Sequence, residues 1–218
     1  SERAGGLRDA VHLLRPGDLP GPAGETVLAW RNVVKRSLSV KALGRALPAL
    51  ELSQIATWLD AAHGAPMTRA ATVLETVLME APRAEVSAFV LADAALAQAL
   101  GWVHVLPLLA TGLKRTDLRK HGDDLRLACH RAVTASAVEA TRLAVDLARR
   151  AAHLKAVALK LRAKGAGDAV EIILTQDAVA PSALPLPDRA ARRLCDRLVE
   201  LGAVRELTGR DAFRLYGL

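Results

Sequence analysis

The amino-acid sequence predicts an all-α helical array ending in a C-terminal winged helix-turn-helix, with one small β-hairpin as its sheet. Three observations predict it. Hydrophobic residues fill 51% of the 218 positions but aromatics only 3%, and alanine and leucine, both strong helix formers, supply most of the apolar content. Proline and glycine interrupt the chain at short intervals, and no strand-like alternation precedes residue 204. The segment Gly167–Leu218 then sets a strongly two-sided helix directly before two short strand-like runs.

Taken in order, Leu7–Arg15 reads as a helix stopped by the proline- and glycine-rich Pro16–Pro22. Glu25–Arg36 resumes helix, with Val27, Leu28, Trp30, Val33 and Val34 apolar. Ser39–Leu47 follows, with Ser39 placed to cap its first turn. Pro48 separates it from Glu51–Ala62, and Pro82 divides Thr68–Glu80 from Ala84–Leu100. Such segments read as an all-helical array with short connections. From Leu125 to Lys164 the chain has neither proline nor glycine. A single helix there would span roughly 60 Å, so a break or hinge is expected inside it. Arg131, Arg142, Asp146, Arg149, His153, Lys160 and Lys164 share one stripe of that stretch. It reads as a solvated face or, alternatively, as a phosphate-tracking surface.

Lys164–Gly167 marks the expected boundary between a helical domain, residues 1–164, and a winged helix-turn-helix domain, residues 165–218. Asp168–Gln176 is its first helix and Ala180–Leu184 a short second helix or turn. Pro187 opens the recognition helix, where its missing N–H costs nothing. In that helix Ala190, Ala191, Leu194, Cys195, Leu198, Val199 and Leu201 fall on one side, and Arg189, Arg192, Arg193, Asp196, Arg197 and Glu200 on the other. Gly202 ends it, since a left-handed residue is cheapest as glycine. Val204–Leu207, a Thr208–Asp211 turn and Ala212–Tyr216 form the hairpin. An arginine-faced helix followed by a basic hairpin suits double-stranded DNA. Arg189, Arg192, Arg193 and Arg197 would face the groove, and Arg205, Arg210 and Arg214 would touch phosphate.

Net charge is +7 with a pI near 10.0, which favours polyanions. The excess is spread along the chain: residues 1–122 hold 14 Lys+Arg against 11 Asp+Glu, and residues 123–218 hold 16 against 12. Cys129 and Cys195 each sit on an apolar helical face and read as small core residues in a reducing cytosol, not as a disulfide or metal pair. The first residues lack the apolar core of a secretory signal, so a cytoplasmic location is expected. Ala94–Leu113 carries no Asp, Glu, Lys or Arg and is long enough to span a bilayer. Gln98, Gly101, His104, Pro107 and many alanines favour a buried helix that breaks near Gly101–Pro107, so no membrane partner is expected.

Catalytic motifs are absent: no His-Glu-x-x-His, no Cys-x-x-Cys, no phosphate-binding glycine loop with lysine and no Gly-x-Ser-x-Gly. Asp9/His12 and Asp60/His63 place a carboxylate and an imidazole at i and i+3, a spacing used in helix-bundle di-metal sites, with Glu25, Glu51 and Glu75 as further carboxylates. Aspartate is shorter than the usual glutamate and His63 precedes Gly64, so chance pairing is the preferred reading. No metal, cofactor or enzymatic activity is expected. Trp30, Trp58 and Trp102 read as core, and His104, His121 and His130 as structural histidines.

Two resemblances follow. Leu198-x-x-x-Gly202-x-x-x-Glu206-x-Thr208-Gly209-Arg210 with Arg214-x-Tyr216 resembles the winged-helix tail of Fic-type proteins, without the Fic catalytic motif, so adenylyl transfer is not implied. The whole chain is similar to the alphaproteobacterial family "domain of unknown function 1403". The matching pieces are Leu14–Asp18, Gly21–Gly24, Leu100–Trp102, Leu106–Ala110, Lys160–Val170, and the tail from Asp188–Arg193 through Leu215–Leu218. That resemblance implies no activity and no catalytic residues. The function expected from the residues is therefore a non-enzymatic, regulatory DNA-binding protein. The alternative is a helical adaptor or oligomerisation module, a homodimer or one that docks another protein through its winged helix.

Overall fold

The computed structural model describes residues 21–161, 165–209 and 213–218. The expected Leu7–Arg15 helix, the Asp9/His12 pair and Arg210 lie outside the described residues. The described residues are mostly helical, with one small two-stranded antiparallel sheet. They fall into two compact units, Gly21–Ala140 and Thr141–Leu218.

In the first unit α1 spans Gly21–Val34, α2 Val40–Ala46, α3 Leu52–Ala61, α4 Pro66–Glu80, α5 Glu85–Ala99 and α6 Leu108–Gly112. The Ser39 hydroxyl accepts from the Ala42 N–H at 3.2 Å and starts α2, as its position predicts. Helix α1 begins earlier than expected, because Pro22 sits in its first turn, where no N–H is needed. The core is built around α4 and α5. Helix α4 buries Met67, Ala70, Ala71, Val73, Leu74 and Val77, and α5 buries Ala88 and every residue from Val90 to Ala97. The uncharged stretch after Ala94 is therefore the end of a core helix, which stops at Leu100 and turns through Gly101 at φ +70°.

One polar group sits inside this core. Asp93 accepts the Leu109 N–H at 2.8 Å on Oδ1 and the Ala110 N–H at 3.2 Å on Oδ2, so α5 caps the short α6 from within. Helix α6 in turn meets α7 closely: a Cβ on Gly112 would lie 2.5 Å from the Ala132 carbonyl oxygen.

Helix α7, Gly122–Ala158, is a single helix of 37 residues, roughly 55 Å long. The break expected between Leu125 and Lys164 falls near the end of that stretch: the helix stops at Ala158 and a turn follows through Leu161. No proline or glycine follows Gly122 within it, and ion pairs support its first turn, Asp123–Arg126, and a turn past its middle, Asp146 with Arg149 and Arg150. Its residues through Ala140 belong to the first unit and those from Thr141 to the second.

The second unit continues with α8, Ala166–Thr175, a 3-10 turn at Pro181–Ala183, α9, Asp188–Glu200, and strands β1, Arg205–Glu206, and β2, Tyr216–Gly217. Gly165, at φ +83°, opens α8 where the sequence marks a boundary. Leu154 and Val157 of α7 pack with Val170 and Ile173 of α8, with Ala191, Leu194, Cys195 and Leu198 of α9, and with Val204 and Tyr216. The strands pair antiparallel in the register Arg205↔Gly217 and Glu206↔Tyr216. Both are shorter than the expected hairpin arms. Val179 also bridges Tyr216, through hydrogen bonds of 2.8 and 2.9 Å, so extended backbone does occur before residue 204. A one-residue bridge has no alternation to read, which is why the pattern missed it.

Candidate nucleic-acid interface

The terminal arginines are placed by the burial of the opposite side of α9. Ala191, Leu194, Cys195 and Leu198 face the core at i, i+3, i+4 and i+7, which leaves Arg189, Arg192, Arg193 and Arg197 exposed. They do not form one free cationic face. Arg192 pairs with Asp188 at 2.9 Å, and Arg197 with Glu200 at 2.9 Å. Arg189 and Arg193, one turn apart, meet no acid among the described residues. The i+4 and i+3 spacings that neutralise the other two were legible in the sequence, and they halve the set that can accept an anion without first breaking a contact.

Both described hairpin cations are engaged within the unit. Arg205 donates to the Leu218 carbonyl oxygen at 3.0 Å, which ties β1 to the end of the chain. Arg214 donates to the Tyr216 hydroxyl, with Asp196 and Glu206 nearby. Tyr216 is buried and its hydroxyl lies 3.5 Å from Asp196 Oδ1, so Arg214, Tyr216 and Asp196 form a polar line from hairpin to α9. Burial raises the Tyr216 hydroxyl above its ordinary value, against the lowering effect of Arg214. Asp196 thus reaches for the hairpin.

Glu206 shapes the start of the turn. Its carboxylate accepts the Thr208 N–H at 2.8 Å, the Thr208 hydroxyl, and the Gly209 N–H at 2.8 Å. Burial pushes this carboxyl up, but those hydrogen bonds, with Arg214 nearby, outweigh it and hold the group below the usual carboxylate range.

The remaining candidates do not converge. Asp60 is exposed, and His63 Nδ1 lies 2.9 Å from the Ala61 carbonyl oxygen. Glu75 is engaged by the His121 ring at 3.1 Å and the Gly122 N–H at 3.1 Å, at the start of α7. Glu25 and Glu51 are exposed on α1 and before α3. Among the described residues no three metal-ligating side chains gather. Both cysteines are buried and unpaired, as their helical positions predict. Burial, then the charges of Asp93 and Asp117, pushes the Cys129 thiol up to about 12. Burial, then Asp196, pushes Cys195 up to about 11. Trp58 is core, its Nε1–H donating to Glu80 at 2.8 Å, and Trp30 is half-buried. Trp102 is not core but exposed, because the loop after α5 turns it outward.

The family described as Protein of unknown function (DUF1403) has a model that matches residues 1–218. The chain belongs to that family. Membership covers both units of this DUF1403 chain and assigns no chemistry to either. Neither the curated proteins nor the solved structures contain a match, and no comparison supports a Fic-like tail. Among the described residues no helix of this DUF1403 protein is long and apolar enough to cross a membrane.

Proposed function

We propose that the second unit is a winged helix-turn-helix and that the protein is a cytoplasmic, non-enzymatic regulator that binds double-stranded DNA through it. The order α8, 3-10 turn, α9, β1, β2 supports the fold reading, with Val179 as a one-residue third strand against Tyr216. The single observation that carries the DNA reading is the pair Arg189 and Arg193, exposed one turn apart and unmatched by acid among the described residues. Guanidinium groups so placed on a helix suit base edges or phosphates. Arg192 and Arg197 join after releasing Asp188 and Glu200, and Arg205 and Arg214 stiffen the hairpin before they touch phosphate. Arg210 would complete the set at the turn.

Fluorescence anisotropy with a random duplex tests this. Affinity should fall steeply with added salt as counterion release is lost. Arg189→Ala/Arg193→Ala should weaken binding by roughly 10- to 100-fold, while Arg192→Ala/Arg197→Ala should weaken it less. A chain that ignores duplex DNA at low salt, or a Arg189/Arg193 double variant that binds as tightly as the parent, overturns the reading. The acids on α9 favour one alternative, a protein-docking surface. Light scattering, and pull-down with the α9 arginines replaced, would then show a partner that duplex DNA does not displace.

A further inference from the structure

A second surface lies in the first unit, far in sequence from the arginine helix. Between Glu25 and Glu51 the chain carries Arg31, Lys35, Arg36, Lys41 and Arg45 and no acid. All five are exposed, and none forms an ion pair among the described residues. Several cations that do have an acid within reach in sequence pair with it, as at Arg126, Arg149, Arg150, Arg192 and Arg197, and this stretch offers no such acid. Beside this stretch runs the loop after α5. The Leu38 N–H donates to the Val103 carbonyl oxygen at 2.7 Å, and His104 Nδ1 lies 3.1 Å from the Arg36 carbonyl oxygen. That loop buries Val105 as its anchor but exposes Trp102, Val103 and Leu106, with Val103 at 62%. The nearest acids along its own chain are Asp93, which is buried, and Asp117, which is bound to Lys120.

We propose that this face, the loop Trp102–Leu106 together with Lys35 and Arg36, docks peripherally on an anionic lipid surface. Such a surface offers both required chemistries side by side. Interfacial hydrocarbon takes the tryptophan and the aliphatic tips, and headgroup phosphates take the unmatched cations. Duplex DNA offers nothing to Val103 and Leu106. The contact needs no spanning helix, only a few side chains entering the headgroup region. It also divides the uncharged Ala94–Leu113 stretch, with the end of α5 and the start of α6 in the core and the loop between them at a membrane.

Cosedimentation of the full chain with vesicles tests it. Vesicles of phosphatidylcholine with about a quarter phosphatidylserine should bind the protein in a salt-sensitive way, and pure phosphatidylcholine should not. Lys35→Ala/Arg36→Ala should weaken binding roughly 20- to 30-fold, at about fivefold per cation. Val103→Ser/Leu106→Ser should weaken it at unchanged charge and unchanged circular dichroism. Trp102 emission should shift to the blue on binding in a Trp30→Phe background, Trp58 being buried already. Arg189→Ala/Arg193→Ala, which removes the same charge elsewhere, should leave vesicle binding intact. Equal losses in both charge pairs would mean attraction by net charge alone and overturn the proposal. So would no binding at low salt, or capture by an acidic protein of a face that anionic vesicles ignore.

Discussion

Helices α5 and α9 are nearly equal in length, at 15 and 13 residues, and opposite in burial. Helix α5 is apolar all round and is enclosed on every side, so even its aspartate is inside, bonded to the start of α6. Helix α9 buries one stripe and leaves an arginine-rich face to solvent. The difference teaches that the first unit is held by a central helix, while the second is held by a surface helix whose outer side is free for another task. It also explains why Asp93 costs the fold something that the α9 acids do not. Burial penalises its charge, whereas Asp188 and Glu200 sit in water beside arginines.

The sharpest way to break this contrast is to remove bulk at the centre. Leu91 has no exposure, so Leu91→Ala should destabilise the chain by about 2–5 kcal/mol in urea denaturation. Val199→Ala on α9 loses a partly exposed side chain and should cost under about 1 kcal/mol. Equal losses would deny the central role of α5.

Gly217 gives the next effect. A Cβ there would lie 2.7 Å from the Asp177 carbonyl oxygen, so Gly217→Ala must shift β2 or the backbone before Val179. A loss of about 1–3 kcal/mol is expected, read as a lower urea midpoint, with the hairpin signals moving most in an NMR spectrum.

Asp93 sharpens the contrast through pH. Burial raises its carboxyl from 3.8 to about 7, against the lowering effect of the Leu109, Ala110 and Leu108 N–H groups. The folded chain keeps a proton that the unfolded chain releases between those two values. Its contribution to stability is therefore fully present below about pH 4 and lost as pH rises through about 7. Asp93→Asn should flatten that decline and cost about 1 kcal/mol at low pH, since an amide accepts from one N–H but not from both. A wild-type profile that rises between pH 4 and 7 by as much as the variant's would refute the assignment.

Smallest of all is the effect of the arginine face on folding. Arg189→Ala/Arg193→Ala should change stability by no more than about 0.5 kcal/mol, because both side chains are exposed and neither meets an acid among the described residues. A larger loss would mean that the face is structural and would weaken its reading as a binding surface.

Much of this was legible beforehand because it is local. The Ser39 cap, the proline and glycine boundaries, the end of α5 near Gly101 and the two core cysteines follow from side-chain chemistry within a few residues of each position. The amphipathic character of α9 was equally plain. The break expected between Leu125 and Lys164 comes only after Ala158, because no residue before it removes a hydrogen bond from the helix. Trp102 was misplaced because its neighbours in sequence are apolar, and only the turn at Gly101 decides which way the loop presents them.

The sequence by itself determined the helical class, the two-sidedness of α9 and the basic balance of the chain, all of which arise from composition and 3.6-residue periodicity. Tertiary structure decided what periodicity does not encode. It buried Asp93 against α6, brought Val179 to Tyr216, and set the exposed Trp102 loop against the basic Lys35–Leu38 segment. Each of these depends on groups far apart in the chain meeting in space, and the free energy of such contacts exists only once the core has brought them together.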